Sequence, residues 1–544
     1  MRALLIIPVF LIFQLGLFGQ AISHPSYTQA MTIKKFPLEK QICGRTWATN
    51  TAKVVVQGTV AASSNYDQVQ LSVSTDTMGN FDDLVADLVY SGDSATFEFN
   101  YLLPASFLNH EFVLYGLKDT IKYIEWKAVD VVAGDIFLIN GQSNAQAYLS
   151  PMPEDVVPYT RSYKNNQWNA LNHSFPGRWG GHLAKVMADY LGYPIGVFNF
   201  ADGALPIHYF QKDLDDTLSG NYGRMLQLFA EAGGVKPVAA FWFHGEANGW
   251  DTPLETYKMA YDTLHNSWKE SFGIQASFLY QLRFKGCTHP YPYVFEAQRE
   301  IAEETPDINI MSTTNADQDS CHYRWEDGYR ALAERMAQVV KAKIYGDNTI
   351  PAQDFAPNVK KIELYNPSTL RITFEPAGVP LSVMGDPTYD FRHEETGKFS
   401  SQVWTAGDTL IVHIDTTMNV GDHFSYLGHP GPFPDWVVTP SGVGILEFYN
   451  RPIVDYIVSN AQVLAPKIDL AIYPNPIENT CYIDWHSSEK VEIKVIDALG
   501  RVTLRKKQLA EAGIHLDLSN LPNGIYQVVV QSKQMVGVGK VVKL

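Results

Sequence analysis

A chain of 544 residues is longer than one hydrophobic core usually supports, so three or four domains are expected. Its 46% hydrophobic and 12% aromatic content excludes a disordered protein. A net charge of −16, with no Lys/Arg block anywhere, excludes nucleic acid or an anionic membrane surface as the partner.

The N-terminus reads MRALLIIPVFLIFQLGLFGQA: one arginine, an apolar stretch to Phe18, then Gly19-Gln20-Ala21. This pattern predicts a secretory signal peptide over residues 1–21. The apolar run is shorter than the ~20 residues of a spanning helix and contains Pro8, so no stable transmembrane segment is expected after cleavage. Cys43, Cys287, Cys321 and Cys481 are too few for a disulfide framework. In an oxidising compartment Cys287, beyond a predicted strand ending at Leu282, and Cys321, just before His322, are either bridged or two buried free thiols. The sequence leaves both possibilities open.

Residues 22–132 alternate in short β-rich runs (AKVVVQGTV, VQLSVST, ATFEFNYLL, EFVLYGL) separated by Asn, Gly, Asp and Ser, which predicts an antiparallel β-sandwich accessory domain. From 133 to 347 the pattern changes to apolar strands separated by helical stretches. DIFLIN, PIGVFNF, PVAAFWF, ASFLYQL and INIMSTT alternate with GGHLAKVMADYLG, YGRMLQLFAEAGG, PLETYKMAYDTLHNSWKESFG and YVFEAQREIAEET. Such alternation predicts an α/β domain whose parallel sheet is covered on both faces. A closing helix, RWEDGYRALAERMAQVVKAKI, repeats Trp325, Tyr329, Leu332, Met336 and Val339 at helical spacing. Residues 348–465 return to β-rich runs and predict a second sandwich-like accessory domain, and 466–544 form a last block of short strands.

In a parallel α/β sheet the site lies at the carboxyl ends of the strands. Four strand ends carry unusual loops: Gly141-Gln142-Ser143-Asn144, Asp202-Gly203-Ala204, His244-Gly245-Glu246-Ala247-Asn248, and NADQDSCHY, which sets Asp319 three residues before His322. Acyl transfer by a serine needs a base, a group to orient that base and donors for the oxyanion. Ser143, His322 and Asp319 are the residue types for nucleophile, base and orienter, and glycines let backbone N–H groups approach a ligand. Taken singly, each has a plainer reading as a helix cap, a solvated histidine or turn punctuation. Their joint appearance at four strand ends of one domain favours the catalytic reading. The scheme needs no metal and no cofactor; there is no His-Glu-x-x-His and no cysteine pair at zinc spacing.

GDIFLINGQSN resembles the nucleophile block of the SGNH/GDSL hydrolase superfamily, in the form found in sialate O-acetylesterases and carbohydrate esterase family six. FWFHGEAN is similar to that family's third block and DSCHYRWEDGYRALAERMA to its closing Asp-x-x-His block. RWGGHLAKVMADYLGYPIGVFNFADGA is similar to the stretch leading to its second-block glycine. The resemblance implies a three-layer, flavodoxin-like SGNH hydrolase domain with Ser143 as nucleophile, His322 as general base and acid, and Asp319 as its orienter. It also implies an oxyanion and substrate-binding set drawn from Gly203, Gln142, Asn144, His244, Gly245, Glu246 and Asn248. Two departures stand out. The family's third-block glutamine is His244 here, so either His244 or Asn248 is expected to supply the side-chain donor; a second glycine of the second block is Ala204. Glu246 is expected to hydrogen-bond the loops around the nucleophile.

The C-terminal block, with Tyr473-Pro474-Asn475-Pro476 and Leu521-Pro522-Asn523-Gly524-Ile525-Tyr526, resembles the sorting domain of type IX secretion substrates. That resemblance implies the type IX machinery as a partner, transport across the outer membrane, and release or attachment at the cell surface. Together these readings predict a secreted serine esterase removing O-acetyl groups from carbohydrate, of the acetylxylan or O-acetylated sialic acid type. Two alternatives are a non-catalytic glycan-binding surface protein with a degenerate hydrolase fold, and an esterase acting on lipid or simple esters.

Overall fold

The computed structural model describes residues 30–76, 81–147, 152–171, 177–287, 289–431, 434–456, 467–485, 487–497, 501–510, 513–532 and 536–544. The expected signal peptide lies outside them. The chain forms two compact units that part between Asp455 and Tyr456, while the expected boundary at 465/466 falls outside the described residues.

The first unit is built on one parallel sheet. Its strands run in the order Gln167–Ala170, Thr160–Lys164, Ile195–Asn199, Ile121–Gly141, Ala239–Phe243, Ala276–Tyr280 and Ile308–Met311. All neighbours are parallel except the edge hairpin 160–170. Strand residues alternate between two apolar clusters. Phe137, Ile139 and Phe241 pack beneath the helices Arg178–Leu191 and Ala331–Lys343. Ile136, Leu138 and Trp242 pack against Gly220–Glu231, Leu254–Phe272 and Tyr293–Glu304. A strand with helices on both faces has no solvated side, so it reads as an unbroken apolar run. The helices lie where periodicity predicts them, with Tyr329, Leu332, Met336 and Val339 buried. The last one is entered through a π-helical turn, Trp325–Arg330, in which the Tyr329 N–H donates to the Arg324 carbonyl (2.8 Å).

The chain's first strand of this sheet, Ile121–Gly141, lies in the middle, with the next ones on opposite sides of it. That is a topological switch point, where loops leaving adjacent strand ends diverge and open a crevice. Register levels the ends: Asn199 pairs with Ile139, and Phe243 with Gly141.

The same 21-residue strand belongs to the N-terminal β domain. Its first half pairs antiparallel with His110–Lys118, and its second half enters the parallel sheet. The expected boundary at 132/133 therefore falls inside one continuous strand. Burial changes along it from partly exposed to continuous, as the flanks change from solvent to helices. The sheet Met31–Lys35, Thr51–Ala61 and Ser94–Pro104 faces the sheet containing Gln68–Thr75 across a shared apolar core. Residues 358–455 form a seven-stranded sheet with its own core around Phe391, Phe424, Trp436 and Phe448. This β module is tied to the parallel sheet: Ser312 and Thr314 hydroxyls donate to the Ile445 carbonyl, and Gln281 exchanges two hydrogen bonds with the Glu447 backbone (2.8 and 2.9 Å).

The second unit is a small β fold of a five-stranded and a three-stranded sheet enclosing Ile477, Trp485, Ile493, Val495 and Val528. Its sequence motifs have structural roles. The Asn475 side chain donates to the Lys540 carbonyl (2.6 Å) and accepts from the Val542 N–H (2.9 Å), and the Tyr526 hydroxyl donates to the Pro522 carbonyl (2.7 Å). Among the described residues, no helix is long and apolar enough to cross a membrane.

Candidate active site

The first loop, which carries Ser143, leaves the central strand at Gly141, whose φ of +128° is open to glycine. A Cβ there would sit 2.3 Å from the Phe243 carbonyl oxygen, so the close approach of two strand ends also requires glycine. The chain turns at once into a one-turn helix, Ser143–Gln146, which places Ser143 at its first position. The leading N–H groups of a helix have no acceptor within it, and the Ser143 N–H has no backbone acceptor among the described residues. Ser143 is therefore held at a strand-to-helix turn and is partly exposed.

Asn144 joins the remaining loops to it. Its amide nitrogen donates to Glu246 Oε1 in the third loop and to the Cys321 carbonyl (2.9 Å), one residue before His322. Its Oδ1 accepts from the Tyr329 hydroxyl (2.8 Å) and its carbonyl from Trp179 Nε1 (2.9 Å). Gln142 Oε1 accepts the Gly245 and Ala247 N–H groups (3.4 and 3.2 Å). The second loop is tied in by the Asp202 N–H to the Gly141 carbonyl (3.0 Å) and by a buried chain in which Asn140 donates to Asn221, and Asn221 to Asp202 (3.1 and 3.0 Å). Gly203 follows directly. Ala204 stands at φ +60°, the left-handed region where a glycine costs less, which accounts physically for the glycine expected there.

One expected donor is corrected by the geometry. His244 is fully buried with both ring nitrogens committed: Nε2–H donates to the Leu205 carbonyl (3.0 Å), and Nδ1 accepts from the Tyr257 hydroxyl (3.1 Å). Burial pushes its pKa down to about 3, so it is a neutral structural imidazole rather than an oxyanion donor. Asn248 is only partly committed: its Oδ1 accepts from the Ile207 N–H and one of its two amide hydrogens goes to Thr252 Oγ1, both at 2.8 Å, which leaves the second without an acceptor among the described residues. Gly245, at φ +143°, keeps its turn against Val294 and Leu282. Glu246 is buried beneath the loops, its carboxyl pushed above the usual range by desolvation, and its Oε1 takes the Asn144 amide as expected.

Asp319 and His322 lie directly opposite each other on a two-residue hairpin, Gln318–Asp319 paired with His322–Tyr323, with Ser320 at φ +59° in the turn. Opposed residues bring their Cβ atoms to roughly 5 Å. The expected carboxylate–imidazole contact is nonetheless not made. Asp319 is 67% exposed and turns its Oδ2 toward Arg324 Nε (3.6 Å), and the His322 ring makes no hydrogen bond to Ser143 or Asp319 among the described residues. Exposure explains this: Asp319 and His322 are both exposed, so packing among the described residues does not select the rotamer that meets the imidazole. The backbone beneath is well held, because Cys287 and Cys321 are bonded to each other, with Cα atoms 4.7 Å apart.

Sequence reasoning did not reach the groups that support the hairpin. Arg283 is buried and donates to the Thr313 and Ala316 carbonyls, to Gln318 Oε1 (3.2 Å) and to the Gly431 carbonyl of the β module (3.3 Å). Its guanidinium lies over Trp436 (4.8 Å) and Tyr323 (5.5 Å). Beside it Glu447, fully buried, accepts the Phe284 N–H (2.9 Å). Buried charges in strand-end loops are a signal only once the fold surrounds them.

With this geometry described, comparison with known proteins bears on both units. The family described as secretion system C-terminal sorting domain matches residues 471–544. The protein therefore carries a type IX sorting domain and is exported through the outer membrane, to the cell surface or beyond. No curated protein matches the chain in sequence. Among solved structures, a carbohydrate acetylesterase from Xanthomonas citri aligns over 77% of this chain and 99% of its own with a TM-score of 0.56 at 18% identity. A protein from Arabidopsis thaliana (39% and 98% covered, TM-score 0.32, 15% identity) and a carbohydrate acetylesterase family member from Sinorhizobium meliloti (39% and 100%, 0.27, 12%) are also similar. The Xanthomonas likeness establishes a shared fold: a mixed α/β chain with β-sandwich-like parts.

Burial raises the Glu447 carboxyl from 4.5 to about 8. A raised acid in the folded state binds a proton that the unfolded chain has lost, so its contribution to stability is complete below about pH 4.5 and is lost as pH climbs to about 8. Glu447→Gln keeps the acceptor for Phe284 and removes the titration. Urea denaturation from about pH 4.5 to about pH 9 is expected to show a shallower fall in stability for the variant than for wild type over that window.

Proposed function

We propose that the protein is a secreted serine esterase that removes O-acetyl groups from carbohydrate, built on a three-layer SGNH-type hydrolase domain spanning 133–347 between accessory β domains at 22–132 and 348–465. The observation that carries the reading is the 2.9 Å bond from the Asn144 amide to the Cys321 carbonyl, which joins the residue after Ser143 to the residue before His322. Ser143 Oγ attacks the acetyl carbonyl while His322 takes its proton. The negative oxygen that develops is held by the Ser143 and Gly203 N–H groups. Because His244 has no N–H to spare, the side-chain donors assigned to this set are Gln142 Nε2 and the second amide hydrogen of Asn248, neither of which has an acceptor among the described residues. His322 then protonates the departing sugar oxygen, and water, activated by the same imidazole, hydrolyses the acetyl-enzyme.

In this reading Asp319 exchanges Arg324 for the His322 ring when substrate covers the hairpin. Catalytic hydrogen bonds often close only in the substrate complex. Removing water from the tip strengthens the carboxylate's attraction to a developing imidazolium. The carbohydrate assignment draws on the Xanthomonas fold relative and on Trp250. That indole is 57% exposed, three residues beyond Ala247, and meets the His289 ring edge-on (6.4 Å), two residues past the disulfide cysteine Cys287. A flat apolar face at the rim of a polar crevice suits the C–H face of a pyranose ring.

Ser143→Ala is expected to abolish turnover of a chromogenic acetyl ester and acetate release from acetylated xylan, with the thermal transition unchanged; Asp319→Asn should lower kcat by roughly 10²–10⁴. Full activity in Ser143→Ala would end the serine mechanism, and glycan binding without acetate release by the wild type would favour a non-catalytic binding protein. Trp250→Ala should raise KM for an acetylated oligosaccharide several-fold while leaving the small chromogenic ester unaffected, and an equal effect on both would argue against a sugar platform.

A further inference from the structure

The β module holds a cluster of ligating side chains that the esterase chemistry does not use. His393 ends the strand Phe391–His393, Glu395 lies in the turn that follows, and Asp422 immediately precedes the neighbouring strand His423–Tyr426. One ligand atom from each lies within 4.8 Å of the others. The His393 ring is 1% exposed, and its Nε2 faces Asp422 Oδ2 at 3.1 Å and Glu395 Oε2 at 3.2 Å.

Three features distinguish this cluster from a chance group of surface acids. The first is the orientation of the imidazole: its other nitrogen, Nδ1, meets Thr396 Oγ1 at 2.9 Å, the arrangement in which a ligating histidine is locked by donating its second N–H to an outer partner. Secondly, each carboxylate is aimed by backbone. Asp422 Oδ2 accepts the Asn419 N–H (2.8 Å) and its side-chain amide (3.4 Å). Glu395 accepts the His423 N–H through both oxygens (3.0 and 2.9 Å) and the His423 ring through Oε1 (2.9 Å). Thirdly, the charge is unbalanced: the adjacent cation, Arg392, is paired with Glu394 (2.7 Å), which leaves two carboxylates with only imidazole groups against them.

We propose that His393, Glu395 and Asp422 form a structural zinc-binding site. Zinc takes imidazole nitrogen and carboxylate oxygen at about 2.0–2.2 Å, so tetrahedral ligand atoms stand roughly 3.4 Å apart, close to the 3.1 and 3.2 Å between His393 Nε2 and the two carboxylates. A single imidazole in the set selects zinc over calcium or magnesium, which prefer all-oxygen shells. The ion would take the position where His393 Nε2 faces both carboxylates. Water fills the fourth position, and His423 supports Glu395 from outside. Bound zinc would pin the turn after Phe391–His393 to the turn before His423–Tyr426, and its role is independent of the acetylesterase reading.

The test uses the full chain stripped of metal by chelator, titrated with zinc chloride in a calorimeter and followed by thermal denaturation. Wild type is expected to bind one zinc ion at micromolar or tighter dissociation constant and to gain several degrees in Tm. Asp422→Asn, a change at a partly exposed position that leaves the His393 core in place, should weaken binding by about 100-fold or more, with acetyl ester turnover unchanged; His393→Gln should do the same. Absence of a wild-type zinc signal, equal affinity in Asp422→Asn, or calcium binding more tightly than zinc would each overturn the proposal.

Discussion

Asn144 has two amide hydrogens, and the site depends on where they go. One holds the third loop through Glu246, and the other holds the hairpin that carries His322 through the Cys321 carbonyl. A single planar group with both donors and its acceptor satisfied fixes three chain segments at once, including the π-helical turn through Tyr329. Because it is buried, none of these bonds can be exchanged for water without leaving a polar atom unpaired, at a cost of about 1–3 kcal/mol each. The position of Ser143 relative to His322 follows from that constraint, since Ser143 adjoins Asn144 and His322 adjoins the Cys321 carbonyl that Asn144 holds.

Around this centre the structure separates rigid parts from adaptable ones. The first, second and third loops are joined by hydrogen bonds through Asn140, Gln142, Asn221 and His244, all buried. The tip of the hairpin that carries Asp319 and His322 is different. A disulfide, Arg283 and Gln318 hold its base, yet Asp319 and His322 project into solvent and make no contact with each other. In the proposed reading, rigid donors facing an exposed base would suit a substrate that itself closes the site. The β module also contributes here, because Gly431, Trp436 and Glu447 pack around the arginine that steadies the hairpin.

Much of this was legible in the residues. The change from alternating to continuous apolar runs near residue 133 marks where one strand passes from a solvated sheet into one covered by helices, and the four strand-end loops named the segments that meet. What could not be read was which polar side chains are already spent. His244 looked like a free donor because a sequence does not show that Leu205 and Tyr257 surround it. Arg283 and Glu447 went unnoticed for the same reason: their partners come from segments up to 163 residues away or from backbone carbonyls.

The sequence by itself determined the order of elements, the export motifs of the C-terminal block and the residue types gathered at the strand ends, since these follow from local periodicity and short motifs. Only the tertiary structure decided that Cys287 and Cys321 are bonded, that His244 is buried and neutral, and that Asp319 rests against Arg324. The physical reason is that hydrogen-bond and ion-pair partners are chosen by proximity in space, and burial, which sets the value of each choice, exists only after the chain has packed.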